Sequence, residues 1–196
     1  MKVFVSWSGE RSEDVAIELS KWIRLVIQSA DVWVSTDMDR GVRWLDELGR
    51  SLDGRGIGIL CVTPGNVRSP WLNFEAGALS KQLRDQGRVI PYLLDFRSTS
   101  DLQPPLGQFS ASLADEDGTW RIVKTLNGQA EFPQTEENLR ETFDAFWPKL
   151  RTRLDTIRTS GGPRSASLRS ERDLLDELLY LVRQLHKQAG ATPDSN

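Results

Sequence analysis

Cysteine and histidine are almost absent. The 196-residue chain holds one of each, Cys61 and His186. A single cysteine excludes a disulfide framework within the chain, and Cys61, inside an apolar run, reads as a buried strand residue. One histidine near the C-terminus leaves little raw material for a zinc centre or a His-dependent nucleophile. Asp37 and Asp39 lack a third acidic or histidine ligand, so no metal and no cofactor is expected. Neither charge sign dominates: 25 basic residues stand against 28 acidic ones, a net charge of -3. That balance argues against a dedicated nucleic-acid binder. No apolar run is long enough to span a bilayer and no signal peptide precedes the first strand, so the expected setting is cytoplasmic, without a membrane partner. Tryptophan is the abundant exception. Seven indoles exceed what a core of this size needs, and some can act as platforms for a planar ligand.

The chain is organised around Ser69-Pro70-Trp71-Leu72-Asn73-Phe74-Glu75-Ala76-Gly77-Ala78-Leu79-Ser80-Lys81. Ser69 suits a helix N-cap and Pro70 the first helical position, so a helix is expected here. Trp71 and Glu75, four apart, share one face of it. Gly77 inside a helix costs about 1 kcal/mol relative to alanine, which points to close approach by another backbone or a ligand. The helix follows the apolar run Ile57 to Val62. In open α/β sheets, ligands bind beyond the carboxyl ends of such strands. The plain alternative is a solvated glutamate beside a half-buried packing indole.

Taken in order, Val3-Phe4-Val5 is a short buried strand, followed by the polar loop Ser6-Trp7-Ser8-Gly9. A helix capped by Ser12 carries Val15, Leu19, Trp22, Ile23 and Val26 at helical spacing. Val32-Trp33-Val34 is a second strand, followed by a charged loop from Ser35 to Arg43 and a helix from about Trp44. Ile57 to Val62 is the third strand and Val89 to Leu94 the fourth. Pro91 weakens the reading of the fourth as a strand, because proline removes a ladder donor and belongs at an edge or a bulge. Asp95 to Gly107 is a long loop, Phe109 to Leu113 a short fifth strand, and Trp120 to Leu126 a short helix. Leu139, Phe143, Phe146, Trp147, Leu150 and Leu154 trace a final amphipathic helix, interrupted or kinked near Pro148. Strands that are nearly all apolar, alternating with helices, predict an α/β domain whose parallel sheet is covered on both faces. The expected domain is 1–157, with a flexible linker over 158–170. A leucine-striped helix over 171–189 either docks back or self-associates, the linker favouring self-association. A disordered tail is expected over 190–196.

These elements resemble the Toll/interleukin-1 receptor (TIR) domain family. Val3-Phe4-Val5-Ser6-Trp7 is similar to its first signature box, Val32 to Arg43 to its second strand and following loop, and Phe146-Trp147 to the aromatic pair of its closing helix. Trp71-Leu72-Asn73-Phe74-Glu75 matches the spacing in TIR domains that cleave NAD, where the glutamate is the catalytic carboxylate. The wording is nearest to bacterial stand-alone TIR proteins. Two features depart from the pattern: Arg40-Gly41 replaces the usual proline-glycine pair, and Trp7 stands where tyrosine or histidine is more usual. The resemblance implies a flavodoxin-like fold with a central, mostly parallel five-stranded sheet, helices on both faces, and a further C-terminal helix after the linker.

The resemblance also implies an NAD+ glycohydrolase that releases nicotinamide and leaves ADP-ribose or a cyclic form. It implies a role in bacterial antiviral defence and innate immunity, with activation by TIR assembly. Glu75 would be the catalytic residue. Trp71 would shape the ribose or nicotinamide side of the pocket, and Trp33 would stack on a ring unless it is core. Ser6, Trp7 and Ser8 would touch the phosphate or ribose. Arg43 and Trp44 are candidates for the adenine half or a neighbouring subunit's site, although Arg43 also reads as a solvated loop charge. Expected partners are NAD itself, a second copy through TIR surfaces and the C-terminal helix, and another TIR protein or defence component. The alternatives are a non-catalytic scaffold recruiting other TIR domains in signalling, and a receptor that binds a nucleotide without cleaving it.

Overall fold

Runs of β-branched and other apolar residues form the strands in the computed structural model, which describes residues 1–34, 56–69, 72 and 88–160. Among these, five strands form one sheet: β1 (Lys2–Ser6), β2 (Asp31–Val34), β3 (Ile57–Val62), β4 (Arg88–Leu93) and β5 (Ser112–Leu113). The order is β2-β1-β3-β4-β5 and each pair is parallel. This is the flavodoxin-like α/β arrangement of the sequence expectation. β3 is buried along its whole length, as a strand covered on both faces must be.

Side-chain alternation divides the core in two. Val3, Val5, Ile57, Ile59 and Cys61 face a cluster completed by α1 (Glu10–Val26), α2 (Glu116–Gly128) and α3 (Glu136–Thr159). The predicted stripe of α1, from Val15 to Val26, is buried there. Phe143 is the hub of its aromatic part. It stacks on Trp147 at 5.7 Å and meets Trp22 edge-on at 5.5 Å. Trp22 Nε1 also donates to Phe146 O at 2.9 Å, tying α1 to α3. The Phe146-Trp147 pair is therefore packing.

Phe4, Leu60, Val62 and Leu93 line the opposite face, with Leu72, Leu102 and Leu106. Leu72 is helical and fully buried. The rest of the expected helix over 70–81, the helix from Trp44, the linker beyond Ser160, the helix 171–189 and the tail lie outside the described residues.

Four expectations need correction. β4 is not an edge strand, since β3 and β5 flank it. The reason lies in backbone parity. Leu94 N–H donates to Val62 O, whereas Leu93 O accepts from Ala114 N–H. Odd positions therefore address β5, and Pro91 turns its missing donor to that side. Pairing there begins only at Tyr92 with Ser112, so no ladder bond is lost. The fifth strand is correspondingly shorter than Phe109 to Leu113. The helix expected over Trp120 to Leu126 starts earlier, because the Asp115 carboxylate caps it by accepting from Gly118 N–H at 2.8 Å. Finally, α3 runs as one helix through Pro148, so the chain is not interrupted there. Pro148 is exposed, so the carbonyl it deprives four residues earlier lies on the water side.

Candidate functional site

The chain reverses direction across the sheet at β1. From β1 it moves to β2 on one side, while β3 to β5 follow on the other. Crossovers in parallel sheets are right-handed, so the segments leaving β1 and β3 go to opposite faces. α1 lies on the Val3 and Val5 face, and buried Leu72 belongs to the Phe4 face. The carboxyl ends of β1 and β3 thus flank the switch point, where a crevice forms in open α/β sheets.

Ser6 ends β1. It is fully buried, and its hydroxyl has no hydrogen-bond partner among the described residues. Parity puts it on the Phe4 face, in register with Leu60. Trp7, half-buried, packs against the α1 side of the core instead. Ser8 Oγ lies 2.8 Å from Ser69 Oγ, joining the loop after β1 to the loop after β3. Gly9 then turns the chain into α1 at φ 90° and ψ 149°, a region that favours glycine.

Ser12 is not the cap of α1, which begins at Glu10 with Gly9 in the cap position. Glycine has no side chain to offer and no side-chain hydrogen bond caps this end; Ser12, inside the first turn, ties back to the preceding loop instead. Its hydroxyl is 2.8 Å from Ser8 O and 2.7 Å from Gly9 O, and it accepts from Ser8 N–H at 3.1 Å.

Asn66 completes the arrangement, and the sequence reading missed it. Its Oδ1 accepts from Thr63 N–H at 2.7 Å. Its Nδ2 donates to Ser8 O at 2.9 Å and to Cys61 O at 3.0 Å. The available signal was the Pro64-Gly65-Asn66 turn, where asparagine side chains commonly bond nearby backbone.

Trp33, in register with Phe4, is 40% exposed and so is not core. It stands on the Phe4 face of the edge strand β2, opposite to Val32 and Val34. Ser6 and Trp33 therefore share a sheet face, while Trp7 does not join them. Arg43, Trp44, Trp71 and Glu75 lie outside the described residues.

Cys61 has no nucleophilic role here, because complete burial pushes its thiol well above the ordinary range. Charged groups gather further along the same sheet edge. Asp95, just past β4, pairs with Arg11 and, at 3.5 Å, with Arg158 Nε. Arg11 also donates to Ile157 O and Arg158 O at the end of α3. Arg158 donates to Ala114 O at 2.6 Å and to Asp155 at 2.7 Å. A cavity of about 310 Å³ opens beside this cluster, lined by Leu93, Phe96 and Arg97 among others. Its charged neighbours chiefly hold one another, joining α1, β4 and α3. No described helix is long and apolar enough to cross a membrane.

The family model described as TIR domain matches residues 3–122, from β1 into α2. No curated protein matches the chain.

Proposed function

The chain belongs to the TIR domain family, and on that premise we propose that it hydrolyses the nicotinamide–ribose bond of NAD, with Glu75 as the catalytic carboxylate. The reaction consumes water and yields nicotinamide, ADP-ribose and a proton; capture of the same centre by the adenine ring would give the cyclic product. Nicotinamide departs as a neutral molecule from a cationic ring, so no general acid is required. The ribose passes through an oxocarbenium-like state, as in glycoside hydrolysis. One fixed carboxylate can stabilise that positive charge and hold the ribose hydroxyls. In this reading Trp71 and Trp33 supply ring surfaces, Ser6 and Ser8 meet the ribose or phosphate, and Arg43 and Trp44 serve the adenine half, while Trp7, packed on the α1 side, takes no part.

The observation that carries the reading is the meeting of the β1 and β3 ends at the switch point. The orphan hydroxyl of Ser6 and the Ser8–Ser69 link lie there. Trp71 and Glu75 follow Ser69 directly in the chain. Self-association, through TIR surfaces and residues 171–189, belongs to the same proposal, as does a defence role.

The test is incubation of concentrated purified chain with NAD, following nicotinamide by chromatography, beside Glu75→Ala and Glu75→Gln. Turnover by the native chain and a drop of about 100-fold or more in both variants is expected, the scale on which loss of a transition-state electrostatic partner is felt. Equal behaviour of all three removes Glu75 from the chemistry.

A further inference from the structure

We infer that Asn66 is a positioning residue for the proposed cleavage: its side-chain amide sets the separation of the two loops that wall the crevice. The inference rests on the NAD reading for its catalytic part and on described geometry for the rest. Asn66 is 6% exposed. Both hydrogens of its amide are used, one on Ser8 O in the β1 loop and one on Cys61 O in β3. Its oxygen holds Thr63 N–H, and its own backbone carbonyl accepts from Ser69 N–H at 2.8 Å. The buried side chain thus fixes where the β1 loop ends and where β3 ends, and the backbone of the same residue fixes where the chain leaves toward Trp71.

The chemistry of an amide is required here. An isosteric carboxylate would keep an acceptor for Thr63 but set its second oxygen against two carbonyl oxygens. Alanine would leave Thr63 N–H without its side-chain acceptor. The Ser8–Ser69 hydroxyl link would still join the loops, but it is only partly buried. The loop after β1 and the end of β3, from which the chain runs on to Glu75, would then be held at a shifted separation. Misplacement of a reacting group by about 1 Å can cost on the order of 100-fold in rate. The loss should therefore fall on kcat more than on KM.

The experiment compares native chain, Asn66→Ala and Asn66→Asp with Thr119→Val. The last removes a buried hydrogen bond between α2 and Tyr92 of β4, 2.8 Å long, that Asn66 does not share, and controls for lost stability. Melting temperature, kcat and KM for NAD are measured on the folded fraction, with amide exchange at Thr63. The expected result is a kcat lower by about 10- to 100-fold in both Asn66 variants, KM within about 3-fold, and kcat near native in Thr119→Val. Thr63 N–H should exchange faster in Asn66→Ala than in Thr119→Val. If kcat in the Asn66 variants follows melting temperature along the line set by Thr119→Val, Asn66 only packs and the proposal is overturned. If the native chain leaves NAD intact, the cleavage reading fails by itself. The clasp then stands on faster Thr63 exchange in Asn66→Ala and falls if the rates match those of Thr119→Val.

Discussion

Ser8 and Ser69 stand 61 positions apart in sequence and meet hydroxyl to hydroxyl at 2.8 Å. Few contacts in the described chain say more about its organisation, since each serine lies just beyond a strand that flanks the switch point. A net hydrogen bond in such a place contributes about 0.5–1.5 kcal/mol. In a double-mutant cycle with Ser8→Ala and Ser69→Ala, chemical denaturation should return a coupling energy of about 0.5–1 kcal/mol. Strict additivity would mean that the two loops are held by other contacts.

Ser6 offers a sharper separation of stability from function. Its buried hydroxyl is unpartnered among the described residues, and an unsatisfied buried polar group costs about 1–3 kcal/mol. Ser6→Ala should therefore raise the unfolding free energy, by about 1 kcal/mol, while raising KM for NAD about 10-fold if a ribose or phosphate oxygen is its partner in the complex. Denaturation and steady-state kinetics on one preparation decide it. A gain in stability with unchanged KM would make Ser6 a tolerated defect of the strand end.

How much of this was legible beforehand depends on the range of the interactions involved. β3 was readable because burial on both faces leaves no polar position from Ile57 to Val62. The α1 stripe was readable because helical spacing is local. Asn66 was not, because its role needs Ser8 brought across 58 positions to its amide. The extent of β5 was hidden for a related reason: a two-residue strand is defined by its partner in β4 and hardly by its own residues. Pro91 misled because local rules cannot say which neighbour a missing donor would have addressed. For Trp33, composition left core and platform both open, and only its place on the edge strand removed core.

Gly118 tests how closely α2 is pressed against β5. A Cβ built there would lie 2.1 Å from Leu113 O and 2.8 Å from Leu113 N. Those are backbone atoms, so no side chain can move aside to make room. Although alanine favours a helix by about 1 kcal/mol over glycine, Gly118→Ala should destabilise the protein by about 2 kcal/mol or more, in the range of overpacked cores. Thermal unfolding followed by circular dichroism checks the sign; an unchanged or raised midpoint would show that α2 can shift freely.

Asp95 carries a positive φ of 65° as well as its two guanidinium partners. The two effects can be parted. Asp95→Ala loses the ion pairs and keeps a side chain in the left-handed region, whereas Asp95→Gly loses the pairs and relaxes the backbone. The glycine variant should be the more stable of the two by about 1 kcal/mol. The pairs are partly exposed, so their own contribution is about 1 kcal/mol or less and should shrink in high salt. Unfolding of both variants at low and high ionic strength measures each part.

Alkaline pH should weaken the fold through Cys61 and Tyr92. Both are completely buried, and burial pushes both acidities to higher pKa than in the unfolded chain. The native state therefore keeps protons that the unfolded state releases. This stabilisation is whole below the ordinary thiol and phenol values, about 8.5 and 10. It declines as pH rises through them toward the raised native values. Each group contributes a slope of about -1.4 kcal/mol per pH unit once its unfolded form is ionised. Cys61→Val keeps an apolar side chain of similar size and removes one titration, so its unfolding free energy should fall less steeply than native above about pH 9, by roughly that slope. Urea melts across that range are the measurement. Parallel curves for native and Cys61→Val would mean that the thiol ionises as readily in the folded protein as in the unfolded chain, which a fully buried residue of β3 should not permit.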